Sequence, residues 1–310
     1  MKFQRALLFD GQGAQEVGMG KDLYEAYPDL RRLYEEAERV LEMPLRSLSF
    51  AGPGEALAET VAAQPALFVH GFALFTLLQK RLPAFRFSAV AGLSLGELTA
   101  HAAAGTFSFS DGLRLVRKRA MAIQRATEES PGSMVALLGA DRRTAEEIAR
   151  EARVDVANYN APDQIVLSGT CQGLNLVQQL AGERHVRKVI PLNVSGAFHS
   201  RLMSGAAEEL AIFLKDFPLA IPRVPVYSNY LARPVQQPEE IRQSLAGQVA
   251  GSVRWEDCIR RMRDCQINQF IEIGPRPILV GLLRRIAPEA QGVALAGVQD
   301  LDSYEHELVK

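Results

Sequence analysis

The nine residues Ala89-Val90-Ala91-Gly92-Leu93-Ser94-Leu95-Gly96-Glu97 constrain this chain more than any other stretch. Ala89 to Ala91 is a short apolar run of the kind that forms a strand buried on both faces. From Glu97 to Ala104, ahead of Gly105, the sequence reads as an alanine-rich helix with an acid in its first turn and a glycine as its stop. Between the two lies Gly92-x-Ser94-x-Gly96, the spacing of a nucleophile elbow. In that motif a serine sits on a strained strand-to-helix turn with its hydroxyl exposed at the carboxyl edge of a sheet. The glycines have a steric reason, because strand and helix approach too closely there for a Cβ. The new helix also directs free N–H groups and its positive end at whatever the serine attacks. A chance Gly-Ser turn is the competing reading, and the strand before and helix after favour the elbow. Ser94 is therefore the candidate nucleophile of an α/β protein.

The 310 residues are enough for one large domain or two. A net charge of −1 gives no basic field that points to nucleic acid or a membrane surface. Cys171, Cys258 and Cys265 show neither C-x-x-C pairing nor metal-ligand spacing, and they suit a reducing compartment. Met1 to Phe9 is too soon interrupted by Asp10 to serve as a signal peptide, and the apolar stretch Pro65–Leu78 falls short of the ~20 residues of a membrane span. These features predict a cytoplasmic soluble protein with no metal and no bound cofactor.

Arg5 to Phe9 reads as a strand, followed by the turn Asp10-Gly11-Gln12-Gly13. That turn lacks the third glycine of a dinucleotide fingerprint and the Gly-Lys-Ser/Thr of a P-loop. Its glycines let backbone amides approach a substrate, as an oxyanion hole requires, or they simply make a tight turn. Pro28–Leu41 is an amphipathic helix, and the helix around Pro65–Leu78 is apolar on nearly every face. Ser110 is the expected cap of a helix through Gln124. At about 100° per residue, Arg114, Arg117, Lys118, Gln124 and Arg125 share its solvated arc, whereas Arg119 falls among Leu115, Val116, Ile123 and Ala126. A buried guanidinium needs an anionic partner. It is either a structural ion pair, with Glu97 as a candidate, or a receptor for a substrate carboxylate, which its fork matches bidentately. The residues alone favour the ion pair.

From Ser133 the pattern is strand (Met134–Leu138), helix (142–152), strand (155–160), strand (164–168), helix (174–180), strand (186–194). This βαββαβ order is a ferredoxin-like unit. It predicts an α/β-hydrolase-like, parallel-sheet domain of residues 1–130 and 196–310 with a small ferredoxin-like domain, 131–195, inserted into it. A cleft between the two is the natural ligand site. Ser195-Gly-Ala-Phe-His199-Ser200 marks the return to the large domain. Of five histidines, His101 points into helix packing, His70 lies in the core helix, His306 in the charged tail and His185 in a polar turn. By elimination His199, on a small-residue loop at the domain junction, is the best-placed base for Ser94, and a solvated loop histidine is the competing reading. Strands at Arg223–Ser228 and Gln269–Ile273 complete the sheet, Gly274-Pro-Arg-Pro starts the last helix, and the polar tail from Gly297 to Lys310 is expected to be peripheral.

Gly11-Gln12-Gly13-Ala14-Gln15, Gly92-x-Ser94-Leu95-Gly96-Glu97, Arg119 on an apolar face and Ala197-Phe198-His199-Ser200 occur in that order. Gln64-Pro65-Ala66, Asn160-Ala-Pro-Asp-Gln-Ile-Val and Gln248-x-x-x-x-Val-Arg-Trp255 accompany them. Together, from Leu8 to about Leu283, they resemble the malonyl-coenzyme A:acyl carrier protein transacylases of bacterial fatty-acid synthesis and their polyketide-synthase acyltransferase relatives. The resemblance implies that Ser94 is acylated, with His199 as its base, oriented by a backbone carbonyl near Gln248 in a dyad variant of the serine triad. It places the oxyanion hole on the backbone amides of Gln12 and Leu95. It makes Arg119 the receptor of the malonyl carboxylate, against the ion pair the residues alone favour, and puts Gln64, Asn160, Phe198 and Gln248 at the substrate. Phe198 in Ala-Phe-His-Ser is the form associated with malonyl rather than methylmalonyl units. Malonyl-coenzyme A and acyl carrier protein are the implied partners, with no bound cofactor and a monomeric chain. The alternatives are a trans-acting polyketide synthase acyltransferase and an editing acyl hydrolase. Three positions depart from the family pattern: Leu93 replaces a histidine, Asp10 a proline and Ser252 a proline.

Overall fold

The computed structural model describes residues 4–309, so Lys310 of the expected tail lies outside it, as do residues 1–3 of the stretch weighed as a signal peptide. Six strands form one sheet in the order β10-β9-β1-β2-β7-β8. They are β1 Arg5–Phe9, β2 Ala89–Gly92, β7 Val226–Ser228, β8 Arg233–Val235, β9 Gln269–Ile273 and β10 Gln291–Leu295. All neighbours pair parallel except β7 and β8. The central strands are continuous apolar runs because both faces are covered. In β1, Leu7 and Phe9 enter the main core, while Ala6 and Leu8 enter a second cluster on the opposite face with Trp255, Ile259 and Phe270.

The second sheet holds β3 Ser133–Leu138, β4 Asp155–Ala161, β5 Gln164–Gly169 and β6 Lys188–Pro191 in the order β4-β5-β3-β6, all antiparallel. The helices Arg142–Ala152 and Cys171–Glu183 pack on it around Leu137, Ile148, Leu167 and Val177. This is the ferredoxin-like arrangement expected from the element order. The two sheets are stitched together at Val253, whose N–H donates to Ala157 O at 2.8 Å and whose carbonyl accepts from Tyr159 N at 2.9 Å. Beside it, the Ser252 hydroxyl donates to Val156 O at 2.6 Å, a bond that a proline at this position would lack.

Several local expectations are corrected. The apolar helix runs from Thr60 to Arg81, 22 residues rather than 14. It is long and apolar enough to cross a membrane by composition, yet 83% of its apolar window is buried inside the protein. Ser108, not Ser110, caps the Arg119 helix, accepting from Asp111 N at 3.1 Å, and that helix spans Phe109–Glu129. The strand expected from Val186 covers only Lys188–Pro191. The strand expected from Arg223 begins at Val226, because Pro222 and Pro225 cannot donate to a ladder. Ile278–Ile286 is not the last helix, since β10 and the helix Val298–Val309 follow. The tail is not peripheral: Leu301 and Tyr304 are buried, and Arg81 pairs with Asp302 and Glu305.

Candidate active site

Ser94 stands between the end of β2 and the helix Leu95–Ala103, with φ 53° and ψ −105°. A Cβ on Gly92 would lie 2.0 Å from the Gly96 carbonyl, and one on Gly96 would lie 2.1 Å from Phe9 O. The elbow's glycines are therefore demanded by close approach, as the spacing predicts. Leu93 N donates to Phe9 O at 3.0 Å, which joins the elbow to the turn that follows β1. The first N–H groups of a helix have no intrahelical acceptor. Among the described residues, neither the Leu95 amide nor the Gln12 amide donates a hydrogen bond that would compete for an oxyanion.

His199 reaches Ser94 from the other side of the cleft. Its Nε2 lies 2.8 Å from Ser94 Oγ, and its Nδ1 lies 2.8 Å from the Gln248 carbonyl. Gln248 belongs to the helix Pro238–Ala250, which fixes that carbonyl in place. A carbonyl accepts only from an N–H, so Nδ1 carries the proton and Nε2 is left as the acceptor for the serine hydroxyl. Burial, then the charge of Arg119, lower the pKa of His199 to about 4, so the imidazole is neutral at pH 7. The competing histidines are structural. His101 is fully buried against Thr106 Oγ1 at 3.0 Å, and His70 is buried in the core helix.

Arg119 is 2% exposed, as its place on the apolar arc requires. The ion pair with Glu97 is not formed. Instead Nη1 donates to Gln64 Oε1 at 2.7 Å, and Nη2 donates to Ser94 Oγ at 3.1 Å and to Gln248 Oε1 at 3.0 Å. All three acceptors are neutral, so the guanidinium keeps an unneutralised charge beside the nucleophile. Burial lowers its pKa to about 10, and it remains charged at pH 7. Glu97 makes no direct bond to it, but its charge acts through space against the effect of burial. Its Oε2 accepts from Gln248 Nε2 at 2.6 Å and from Asn229 N at 2.9 Å, and burial raises its pKa to about 7.

A cavity of about 470 Å³ opens over these groups. Gln12, Gln64, Ser94, Arg119 and His199 line it from the large sheet's side. Gln64 Nε2 donates to Gln12 Oε1 at 3.3 Å, so the first turn, the core helix and Arg119 form one polar wall. Asn158, Asn160, Val166 and Leu192 line it from the small sheet, with Phe198 beside His199. Asn160 Oδ1 is buried without a hydrogen-bond partner and is available to a ligand. Leu93 also lines the cavity. Among the described residues no cluster of His, Cys, Asp or Glu has metal-binding geometry. The structure thus brings Ser94, His199, Arg119, Gln64, Gln12, Asn160 and Phe198 to the cavity, whereas Gln248, expected at the substrate, is fully buried behind it and holds His199 and Arg119 instead. Two residues escaped sequence reasoning. Asn158 is an ordinary strand residue, and Asn229, which bonds the elbow backbone, follows a short strand with no local signal of its own.

Geometry of this kind belongs to enzymes that pass acyl groups through a serine. The chain is a member of the acyltransferases, for the family model described as "Acyl transferase domain" matches residues 6–303. It is 38% identical over 304 residues to a protein named Malonyl CoA-acyl carrier protein transacylase from Bacillus subtilis, covering 96% of this chain and 95% of that one. A Bacillus velezensis protein named Polyketide biosynthesis malonyl CoA-acyl carrier protein transacylase BaeC is 39% identical over 285 residues, covering 92% of this chain and 97% of that one. The crystal structure of an acyl-carrier-protein-S-malonyltransferase from Bartonella henselae superposes with a TM-score of 0.94 at 34% identity, covering 99% of this chain and all of that one.

Proposed function

We propose that the protein transfers the malonyl group of malonyl-coenzyme A to the phosphopantetheine thiol of an acyl carrier protein through a malonyl-serine intermediate. The observation that carries this reading is the double contact at Ser94 Oγ: a neutral imidazole nitrogen at 2.8 Å and an uncompensated guanidinium nitrogen at 3.1 Å. The imidazole takes the hydroxyl proton as Ser94 Oγ attacks the thioester carbonyl. The amides of Gln12 and Leu95 hold the developing oxyanion. His199 returns the proton to the departing coenzyme A thiolate. The carrier thiol then gives its proton to His199, attacks the malonyl ester, and Ser94 recovers the proton as it leaves. Arg119 holds the malonyl carboxylate in a fork that neutral acyl groups cannot use.

The similarity of the relatives favours a transferase, and the polyketide relative at 39% identity keeps a carrier of polyketide synthesis as a second reading beside one of fatty-acid synthesis. The charged Arg119 fits sequestration of a dicarboxylic acyl group better than editing of varied apolar chains by an acyl hydrolase. We further propose that residues 131–195 form a small domain inserted into a large one, since each sheet has its own apolar cluster. A cytoplasmic location is consistent with three unpaired cysteines. A monomer is also part of this proposal.

Mixing the protein with malonyl-coenzyme A should add one malonyl mass, mapped to Ser94 by peptide digestion. Ser94→Ala should acquire none. An adduct that persists in Ser94→Ala would overturn the assignment, and rapid loss of the adduct to water without a carrier would favour the hydrolase. Offering the malonyl-enzyme fatty-acid and polyketide carriers in parallel separates the two carrier readings.

A further inference from the structure

We infer that Asn229 is the positioning residue that holds the nucleophile's turn in its strained form, its side-chain amide standing in for the backbone ladder where the sheet gives way to the elbow. This rests on the serine chemistry proposed above. A non-glycine residue at φ 53° and ψ −105° lies outside the allowed regions. Such residues are energetically costly and persist only where their surroundings over-determine them. What over-determines Ser94 is visible. β7 runs parallel to β2, with Val90 opposite Val226 and Ala91 opposite Tyr227, and the ladder stops where β2 turns at Gly92. Asn229 is the second residue beyond that register and is fully buried.

Its Oδ1 accepts from Ser94 N at 2.7 Å and its Nδ2 donates to Gly92 O at 2.9 Å. One primary amide therefore closes a ring over the two peptide units that flank the bend at Leu93, and it bonds both of them as a peptide group of a neighbouring strand would. The orientation of the amide is fixed by its partners, because a flip would set donor against donor and acceptor against acceptor. Asn229 is itself anchored, its N–H donating to Glu97 Oε2 at 2.9 Å and its carbonyl accepting from Arg254 N at 2.9 Å. Glu97 lies on the helix that leaves the elbow, so the clamp ties the end of β2, the turn and the helix start into one unit. None of its bonds reaches Arg119, and the cavity residue it holds is Ser94 itself. The clamp therefore serves the nucleophile and the oxyanion amide of Leu95, and it is indifferent to the acyl group.

Asn229→Leu keeps the branched outline of the side chain in a bulkier form and removes both side-chain bonds. Asn229→Asp keeps the acceptor for Ser94 N and replaces the donor to Gly92 O with an oxygen that repels it. Steady-state transfer from malonyl- and acetyl-coenzyme A to a carrier protein, well below the thermal transition, should show kcat reduced about 100-fold in Asn229→Leu and about tenfold in Asn229→Asp, in the range lost when transition-state positioning is disturbed. KM should stay within about threefold, and the malonyl-to-acetyl ratio should not move, because the carboxylate receptor is untouched. Lowering the pH should recover activity in Asn229→Asp alone, since the introduced carboxyl, buried beside Glu97, regains an O–H for Gly92 O when protonated. That rescue would not follow from a general loss of packing. Should Asn229→Leu fail to fold, the Asn229→Asp profile carries the test. A kcat within threefold of wild type in folded Asn229→Leu, or a rise in KM with kcat intact, would overturn the inference. Labelling of Ser94 by an alkyl fluorophosphonate needs the serine but no malonyl chemistry. Slower labelling in the variants upholds the clamp even if no thioester is turned over, and unchanged labelling overturns it even if malonyl loading is lost.

Discussion

Ser94 Oγ is approached from two sides that differ in what they demand of the substrate. On one side stands His199, made neutral by burial and held by a backbone carbonyl. On the other stands Arg119, kept charged and satisfied only by the neutral acceptors of Gln64, Ser94 and Gln248. In the proposed reaction the histidine side would work on any thioester, because it needs only a hydroxyl proton and a carbonyl carbon, and the arginine side only on an acyl group that brings its own negative charge. Gln248 serves both, its main-chain carbonyl holding His199 and its side-chain oxygen holding Arg119. The proposed function therefore assigns reactivity and selectivity to different groups that both contact Ser94 Oγ, and it expects them to be separable.

The largest expected effect breaks the histidine side. In His199→Ala the serine keeps its strained turn and its guanidinium neighbour but loses the proton acceptor. Acylation should slow by about 10²–10⁴-fold, the usual worth of general acid–base catalysis. The loss should be the same for malonyl- and acetyl-coenzyme A in stopped-flow loading assays. His101→Ala, which removes a buried ring bonded to Thr106, should lower the melting temperature instead and leave the loading rate of the folded fraction intact. If His101→Ala stopped acylation in a folded protein, the choice of base would be wrong.

The arginine side breaks differently. Removing one member of a buried charged pair costs ~3–5 kcal/mol when the other is left alone. In Arg119→Ala the stranded charge is the malonyl carboxylate, so kcat/KM for malonyl-coenzyme A should fall about 10²–10³-fold. Acetyl loading should hold or improve. Arg119→Lys should recover only part of the malonyl activity, because a point charge lacks the fork. Equal losses on both thioesters, with a matching fall in thermal stability, would make Arg119 a structural group and dissolve the contrast between the two sides.

The two sides were not equally legible in the sequence. Ser94 was readable because the elbow is a local motif: apolar strand, Gly-x-Ser-x-Gly and helix lie within sixteen consecutive residues, 89–104. The strands Arg5–Phe9 and Gln269–Ile273 were readable for the same reason, being apolar runs bounded by turn residues. Helical periodicity placed Arg119 on a buried face, but it could not name what lies opposite. Besides Ser94, its acceptors sit 55 and 129 residues away on other helices, and all are neutral, so a reading that looks for a carboxylate partner points to Glu97 instead. Asn229 gave no signal at all, since its role depends on where β2 stops beside β7. β10 was missed because Gln291–Leu295 is short and only half-buried at the sheet edge. The tail helix was missed because Leu301 and Tyr304 form a narrow apolar stripe in a polar segment.

The smallest expected effect sharpens the comparison by asking whether the two sides feel each other. A histidine base is competent only while neutral, and the ordinary value of 6.5 would cut activity off just below neutrality. In this site burial is the larger cause that moves the value down to about 4, and the positive charge of Arg119 is the next. The bonds from His199 to the backbone oppose both. The acid limb of kcat/KM should therefore lie near pH 4 in the wild type, with loading flat across the neutral range. Arg119→Ala removes a like charge, which makes the imidazole easier to protonate, so the limb should move to higher pH. It should stay below 6.5, because burial remains. Acetyl-coenzyme A is the substrate for this measurement, since the variant still loads it. Circular dichroism must run alongside, because His70 and His101 are also buried with values lowered to about 4 and about 3. A folded-state value below the unfolded one contributes stability above pH 6.5 that is lost as the pH falls toward it, so acid weakens the fold as well as the base. A limb that stays in place while the protein remains folded would mean that the guanidinium charge is not felt at the imidazole, and that the two sides of Ser94 share a residue, Gln248, without sharing a field.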